Sequence, residues 1–393
     1  MYGKIAVFHQ TLTDRLSGEL GKKVFPHVSL FSGPRFSGRM SLVLETCRII
    51  ACQLRSEDTC TCRSCTQSHI LDWTNIVIVA SRDHALMFEA LCNAYDEKRT
   101  AELKNLLIRN TKILLLQFHE ALLGSSSQKH QSFDAASLAN ERLMDFTQSA
   151  ENESGTTLKA LRDAVKPIVS SSKKTGSISI GHVRLLQEWA SKNTLDGSKK
   201  FIILEGVESS NDASRNSLLK FLEEPPEDTY IFLLSDHPST IPQTILSRVR
   251  HYQVPAISSE NKNRLISTVF HEEGKTYDSV ETLILTKAGY DCQQLLLDAH
   301  SYIDKIVSPN IADADDISAL VTNMDEIASF DYFLQMIVRR VIESVRANRM
   351  PVAKAIKANR AISEAKMAVK VFNQQRRLAL ESLFYRLREV LGQ

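Results

Sequence analysis

The stretch from Lys199 to Pro255 constrains the fold of this chain more than any other. Four consecutive apolar residues, Phe201 to Leu204, end at Glu205 and read as a strand buried on both faces, as in a parallel sheet. Asn211 or Asp212 can cap the helix that follows, and Leu218, Leu219 and Leu222 recur on its inner face. Glu223-Glu224-Pro225-Pro226 stops that helix, because proline has no amide proton to give and restricts the residue before it. Thr229 to Ser235 is a second buried strand. After Ile241 to Leu246 and the pair Ser247-Arg248, a third short strand is expected near His251 to Val254. Strand, helix, strand at this spacing predicts a right-handed crossover unit with its functional loops at the strand ends.

A second strand-to-helix junction lies near the N-terminus. His27 to Ser32 is a short strand, and it runs into Gly33-Pro34-Arg35-Phe36-Ser37-Gly38-Arg39-Met40. A helix follows, with Met40, Val43, Leu44, Cys47, Ala51 and Leu54 on one face. The frame is that of a phosphate loop, Gly-x4-Gly-Lys-Ser/Thr, in the strand-loop-helix context the motif requires. Two chemically essential positions differ. The lysine that reaches the β- and γ-phosphates is Arg39, and the hydroxyl that ligates magnesium is Met40, whose thioether is a poor ligand for a hard cation. Pro34 removes one amide from the cradle, and Ser41 stands one place too late unless the register shifts. The expectation is a loop that neither binds nor hydrolyses ATP productively.

Ser217-Leu-Leu-Lys-Phe-Leu-Glu-Glu-Pro-Pro226 and Thr244-Ile-Leu-Ser-Arg248, in this order, resemble the clamp loader subunits of bacterial DNA polymerase III, tau/gamma and delta-prime, of the AAA+ superfamily. The resemblance covers 1–80 and 177–305 well and 306–393 loosely. It implies an α/β plus all-α protein: an AAA+ parallel-sheet domain over 1–255, with a zinc knuckle at 52–65 and a helical insertion at about 82–176. A small helical lid over 256–305 and a C-terminal helical collar and oligomerisation domain over 306–393 complete it. In the family the Ser-Arg pair, usually followed by Cys and here by Val249, sends its arginine into the ATP site of the next subunit. Arg248 is therefore the implied trans-acting finger, a role that suits a group always charged and able to bridge two phosphate oxygens. Active members carry Asp-Glu where this chain has Glu205-Gly206, so the water-activating acid is missing, and Glu208 lies further along the loop. They also carry an arginine three residues after the lid glycine, Gly289, where this chain has Cys292. Gly33, Gly38, Arg39 and Glu205 remain as the residues of a degenerate nucleotide loop. These departures favour the delta-prime type, a non-hydrolysing subunit that closes a ring with tau/gamma and delta subunits and helps load the sliding clamp, touching primed DNA indirectly. The alternatives are a tau/gamma-type ATPase with a degenerate loop, and a zinc-bearing scaffold for protein contacts.

Four of the seven cysteines, Cys52, Cys60, Cys62 and Cys65, cluster at the end of the phosphate-loop helix. In a cytosolic chain such clustering argues for metal rather than disulfides. Four thiolates can close a structural, tetrahedral zinc site with no open position; four free thiols are the alternative. The family pattern is Cys-x8-Cys-x2-Cys-x2-Cys, and this chain is one residue shorter in each of the first two gaps. Cys47 and Cys92 read as apolar helix positions.

With 393 residues, 43% of them hydrophobic and 24% charged, the chain can bury two or three cores. A net charge of +2 does not mark a DNA-binding domain. The basic residues from Arg339 to Arg360, with Glu and Asn interspersed, read as a solvated helix face, with contact to DNA phosphates as the alternative. No apolar run approaches the roughly 20 residues of a membrane span, and Met1-Tyr-Gly-Lys lacks a signal core, so a cytoplasmic chain with no membrane partner is expected. In the insertion, Leu103, Leu106, Leu107, Asn110, Leu114 and Phe118 are spaced for one buried face. Polar links are expected at Gly124 to His130, Gln148 to Gly155 and Ser170 to Gly176. An edge strand is expected at Ile178 to Arg184, before a helix from Val183 to Lys192. Leu380, Leu383, Phe384 and Leu387 repeat at helical spacing in the last helix and are expected to pack between subunits.

Overall fold

The structure is a computed structural model and describes residues 2–54, 60–80, 82–122, 127–150, 153–172, 178–192, 194, 198–308, 314–322, 324 and 326–392. They fall into two compact units, Met1–Lys287 and Ala288–Gln393. The first is organised around five parallel strands: β1 (Val28–Ser32), β2 (Ile76–Val79), β3 (Lys200–Glu205), β4 (Thr229–Ser235) and β5 (Arg250–Gln253). Their order across the sheet is β2-β3-β4-β1-β5. In register, Leu204 faces Leu233, Phe31 faces Leu234, and Phe31 also faces Tyr252 on the other side.

Both faces of the sheet are covered, as the unbroken apolar runs require. Phe31, Phe201, Ile203, Phe232 and Leu234 join one core; Leu30, Ile202, Leu204, Ile231 and Leu233 join the other. Each such side chain contributes about 1.5–3 kcal/mol by leaving water. Short α1 (Gly3–Ala6), α2 (Gln10–Gly21) and α3 (Arg39–Ala51) supply residues to the first core. Met40, Val43, Leu44 and Cys47 of α3 are buried as spaced, whereas Leu54 lies beyond the helix end and is 70% exposed. After α4 (Arg63–His69) and β2 come α5 (His84–Lys98), α6 (Ala101–Leu115), two 3-10 turns at Leu116–Phe118 and Glu120–Leu122, α7 (Ser127–Gln148) and α8 (Ser154–Ser172). The side chains of Asp83 and Thr100 cap α5 and α6 by accepting the amides of Leu86 and Leu103. Leu103, Leu107 and Leu114 are buried, while Leu106, Asn110 and Phe118 are only half-buried. Of the expected polar links, residues 124–126, 151–152 and 173–176 lie outside the described residues, and the chain is helical from Ser127 and up to Ser172.

The edge strand expected at Ile178 to Arg184 is instead the start of α9 (Ile180–Ser191). The Ser179 hydroxyl accepts the His182 amide, and Val183, Leu186 and Ala190 then bury a helical stripe in the second core. A serine cap followed by three- and four-residue spacing outweighs the β-branched local preference. α10 (Asp212–Glu223) is capped by Asn211, whose side chain accepts the Ser214 amide, and gives Leu218 and Leu222 to the same core. Four-residue α11 (Gln243–Leu246) leads into β5.

α12 (Ser259–Thr268) and α13 (Val280–Lys287) complete the first unit. Lys287, with a side chain only 5% exposed, donates to Glu272 Oε1 at 2.5 Å and also to Glu97 of α5. Its carbonyl accepts from Asn93 Nδ2 at 2.8 Å. A buried charge network therefore fastens the last helix of this unit to the first helix of the segment read as an insertion.

The second unit is all-helical: α14 (Cys292–Val307), α15 (Ala314–Leu320), α16 (Ile327–Arg346), α17 (Val352–Phe372) and α18 (Arg376–Leu391). Its centre is Tyr302, whose ring meets Phe333 and Phe384 edge-on at 5.4 and 5.3 Å and whose hydroxyl donates to the Leu380 carbonyl at 2.5 Å. Leu380, Leu383, Phe384 and Leu387 are fully buried inside this unit, so they are core rather than the subunit contact expected of them. Arg339 and Arg360 pair with Glu343 and Glu364 one turn on, as a solvated face does. Among the described residues no helix is long and apolar enough to cross a membrane.

Candidate nucleotide loop and metal knuckle

The loop after β1 is pinned where it begins. Gly33 N–H donates to the Ser235 carbonyl at 3.1 Å, and a Cβ at Gly33 would lie 2.1 Å from the Val254 carbonyl oxygen, so no larger residue fits. Gly33→Ala is expected to cost about 1–3 kcal/mol through that overlap, read as a melting temperature several degrees lower. An unchanged melt would mean that the β1–β5 approach yields freely. Gly38, at φ +85°, makes the left-handed turn that starts α3. His9 is buried, and its Nε2 lies 2.7 Å from the Ser37 carbonyl, which can only accept; the proton therefore sits on Nε2. Burial moves the pKa of His9 below the usual imidazole range, against the smaller effect of that hydrogen bond.

The Arg39 side chain follows Gly38 into the sheet end, 9% exposed, with its Nη1 unpartnered. Burial works against its charge, and the acids Asp236, Glu205 and Glu208 work for it. Met40 is buried in the sheet core, and Ser41 is exposed, so the shifted register that would bring its hydroxyl into the loop is not adopted.

Glu205, at the end of β3, is engaged by a residue the sequence reading did not single out. Arg82 Nε donates to Glu205 Oε2 at 2.7 Å and Arg82 Nη2 to Oε1 at 2.9 Å, a two-point clamp on both carboxylate oxygens. Gly206, at φ +80°, supplies no acid but turns the chain into a 3-10 turn, Val207–Ser209, which brings Glu208 back beside Asp236. Burial and the neighbouring carboxylate push Glu208 up to about 7. Asp236 moves the other way: burial alone would raise it, but Glu208, His237, Arg39 and Arg35 together hold it low. Glu208 was read as too distant to take part, and Asp236 was missed. The usable signal for Asp236 was its position immediately after a buried parallel strand, where ligand loops arise.

Arg248 stands just after α11. Its Nε donates to Glu223 Oε1 at 2.7 Å, its Nη2 pairs with the same oxygen, and its Nη1 donates to the Thr244 carbonyl at 2.7 Å. The fold therefore brings together the Leu-Glu-Glu-Pro-Pro stretch and the Ser-Arg pair, two motifs well separated in sequence.

Cys52 closes α3, Cys62 precedes α4 and Cys65 lies in its first turn. The four sulfurs of Cys52, Cys60, Cys62 and Cys65 all lie within 4.8 Å of one another, with Cys52 to Cys60 at 3.6 Å and Cys62 to Cys52 at 4.0 Å. Metal–sulfur bonds of about 2.3 Å at tetrahedral angles place sulfurs about 3.8 Å apart, so the shortened spacing still fits one ion. The distances also exclude a disulfide, whose sulfurs are about 2.05 Å apart. This buried cluster can hold a metal. Cys47 and Cys92 are buried apolar positions away from it.

A five-stranded parallel sheet in the order β2-β3-β4-β1-β5, a phosphate-loop frame after β1, acids at the ends of β3 and β4 and a helical second unit make an α/β plus all-α protein, consistent with an AAA+ sheet unit followed by helices. The chain resembles the delta-prime and tau/gamma subunits of bacterial DNA polymerase III. A family model described as DNA polymerase III, delta subunit matches residues 97–258, endpoints that bracket most of the segment read as an insertion. DNA polymerase III subunit delta' of Bacillus subtilis is 40% identical over 72 residues, 18% of this chain and 22% of that one. Subunit tau of Escherichia coli is 27% identical over 132 residues, 33% of this chain and 20% of that one. The aligned segments thus span about a fifth of these relatives. A solved DNA polymerase III gamma subunit-related protein from Thermotoga maritima superposes with a TM-score of 0.30 and 19% identity, covering 54% of this chain and 80% of that one.

Proposed function

We propose that this chain is the delta-prime-type subunit of a DNA polymerase III clamp loader. In this reading it binds tau/gamma and delta subunits in a ring, donates Arg248 to a neighbour's ATP site, hydrolyses no ATP itself and helps place the sliding clamp on primed DNA. The observation that carries the reading is the self-neutralised loop. Arg82 covers both oxygens of Glu205, the acid that would hold magnesium, Met40 replaces the second magnesium ligand, and Gly206 replaces the acid that would activate water. A hard cation would have to displace a two-point ion pair to reach Glu205 and would find no hydroxyl on the other side. Arg248, in contrast, lies on the exposed rim beyond β4, where a neighbouring chain can reach it by exchanging with Glu223.

The knuckle is proposed to hold one zinc ion through Cys52, Cys60, Cys62 and Cys65, as a fold element without catalytic work. The purified chain, mixed with magnesium and ATP, is expected to release no phosphate above background. Turnover that disappears in Arg39→Ala would overturn the proposal in favour of a tau/gamma-type ATPase.

A further inference from the structure

Arg48 is among the largest fully buried side chains of the protein, 1% exposed, although it is a permanent cation. A buried guanidinium is retained only where its charge is met. One partner is Glu45 on the same helix, whose Oε1 accepts from both Arg48 Nε and Nη2 at 2.7 Å. The other is Cys65, whose Sγ lies 3.2 Å from Nη1 and accepts from it. Cys65 is itself fully buried and sits in α4, whereas Arg48 and Cys52 sit in the last turn of α3 and at its end. The guanidinium therefore spans the two helices that contribute cysteines to the cluster. A neutral thiol is a weak acceptor, and a metal-bound thiolate is a charged one. Four thiolates around one dication leave a net negative charge in a buried place, and a nearby cation offsets it.

We infer that Arg48 is a positioning residue of the metal knuckle, orienting Cys65 as a ligand and offsetting the negative charge of a four-thiolate centre. The inference rests on the zinc reading proposed above. Outer-shell partners of this kind change metal affinity by about 10- to 100-fold. Charge alone is not enough for the role: a lysine keeps the cation but cannot bond Glu45 and Cys65 with a planar fork.

The test uses the full chain and its Arg48→Lys and Arg48→Met variants, each loaded with zinc and then with cobalt. The wild type is expected to hold one metal per chain. Both variants are expected to lose zinc to a colorimetric chelator about 10- to 100-fold faster, and the cobalt–thiolate absorption band is expected to shift. If Arg48 only packs α3, metal-free and metal-loaded forms will lose thermal stability equally while the release rate and the band stay at wild-type values, and the inference is overturned. A wild type that takes up neither ion fails the metal reading instead. Should Arg48→Met not fold, Arg48→Lys, which keeps the charge and most of the stem, decides the matter.

Discussion

If Arg248 acts as proposed, ATP hydrolysis at the neighbouring site is expected to fall by about three to five orders of magnitude when a clamp loader is reassembled with an Arg248→Ala chain. The size of the effect follows from what a guanidinium does in phosphoryl transfer: it meets charge that grows on the equatorial oxygens only as the bond breaks. Single-turnover phosphate release measures it, with clamp loading on primed DNA as the second readout. Glu223→Ala is the matched control. It removes the acid that now holds Arg248 but leaves the arginine in place, and because this pair is partly exposed, its loss is worth about 1 kcal/mol or less to folding. If Arg248→Ala behaves like Glu223→Ala, the arginine is a surface ion pair and its proposed role at a neighbour's ATP site fails.

The second large effect is on stability. Lys287→Met strips one of two cations from beside Glu272, whose side chain is 1% exposed; breaking a buried pair from one side costs about 3–5 kcal/mol when nothing else meets the charge, and with Lys275 still paired to Glu272 the loss is expected at or below the lower end of that range. Both tryptophans, Trp73 and Trp189, lie in the first unit, so their fluorescence during urea unfolding reports on the affected unit. Burial alone would raise Glu272, but hydrogen bonds from Lys275 and Lys287 and the charges of both bring it down to about 2. A carboxyl depressed in the folded state stabilises fully above its unfolded value of 4.5 and loses that stabilisation as pH falls from there towards 2. Over that window the wild type is expected to lose more stability than Lys287→Met, whose Glu272 is depressed by Lys275 alone. Parallel pH profiles for the two proteins would remove the network from the account.

Much of the sheet was readable because a parallel strand covered on both faces must be apolar throughout. Phe201 to Leu204 and Thr229 to Ser235 announce themselves, and so do their helices, through Asn211 and the Glu-Glu-Pro-Pro stop. Ile178 to Arg184 misled because β-branched residues there outnumber the one signal that decides, the hydroxyl of Ser179. The four helices after β2 could be recognised but not placed. Contacts that place them, such as Lys287 to Glu97, join residues far apart in sequence and follow no repeat. At the loop, motif spacing located Gly33, Gly38, Arg39 and Glu205. It could not locate Arg82 or Asp236, because ion pairing between strand ends depends on strand order, and β2, β3 and β4 are neighbours only once the crossovers are made. The final helix shows the opposite error. The stripe of Leu380, Leu383, Phe384 and Leu387 was read correctly as apolar, but periodicity does not say whether an apolar face meets another chain or its own.

Arg82 gives Glu205 a resident counter-ion, attached through the backbone and always at full strength. Under the proposed reading the end of β3 needs no magnesium to balance its charge, whether or not nucleotide has just been spent. In a ring of the kind proposed, such a member would keep one posture through every cycle, a fixed abutment against which its neighbours, loaded and emptied in turn, could push.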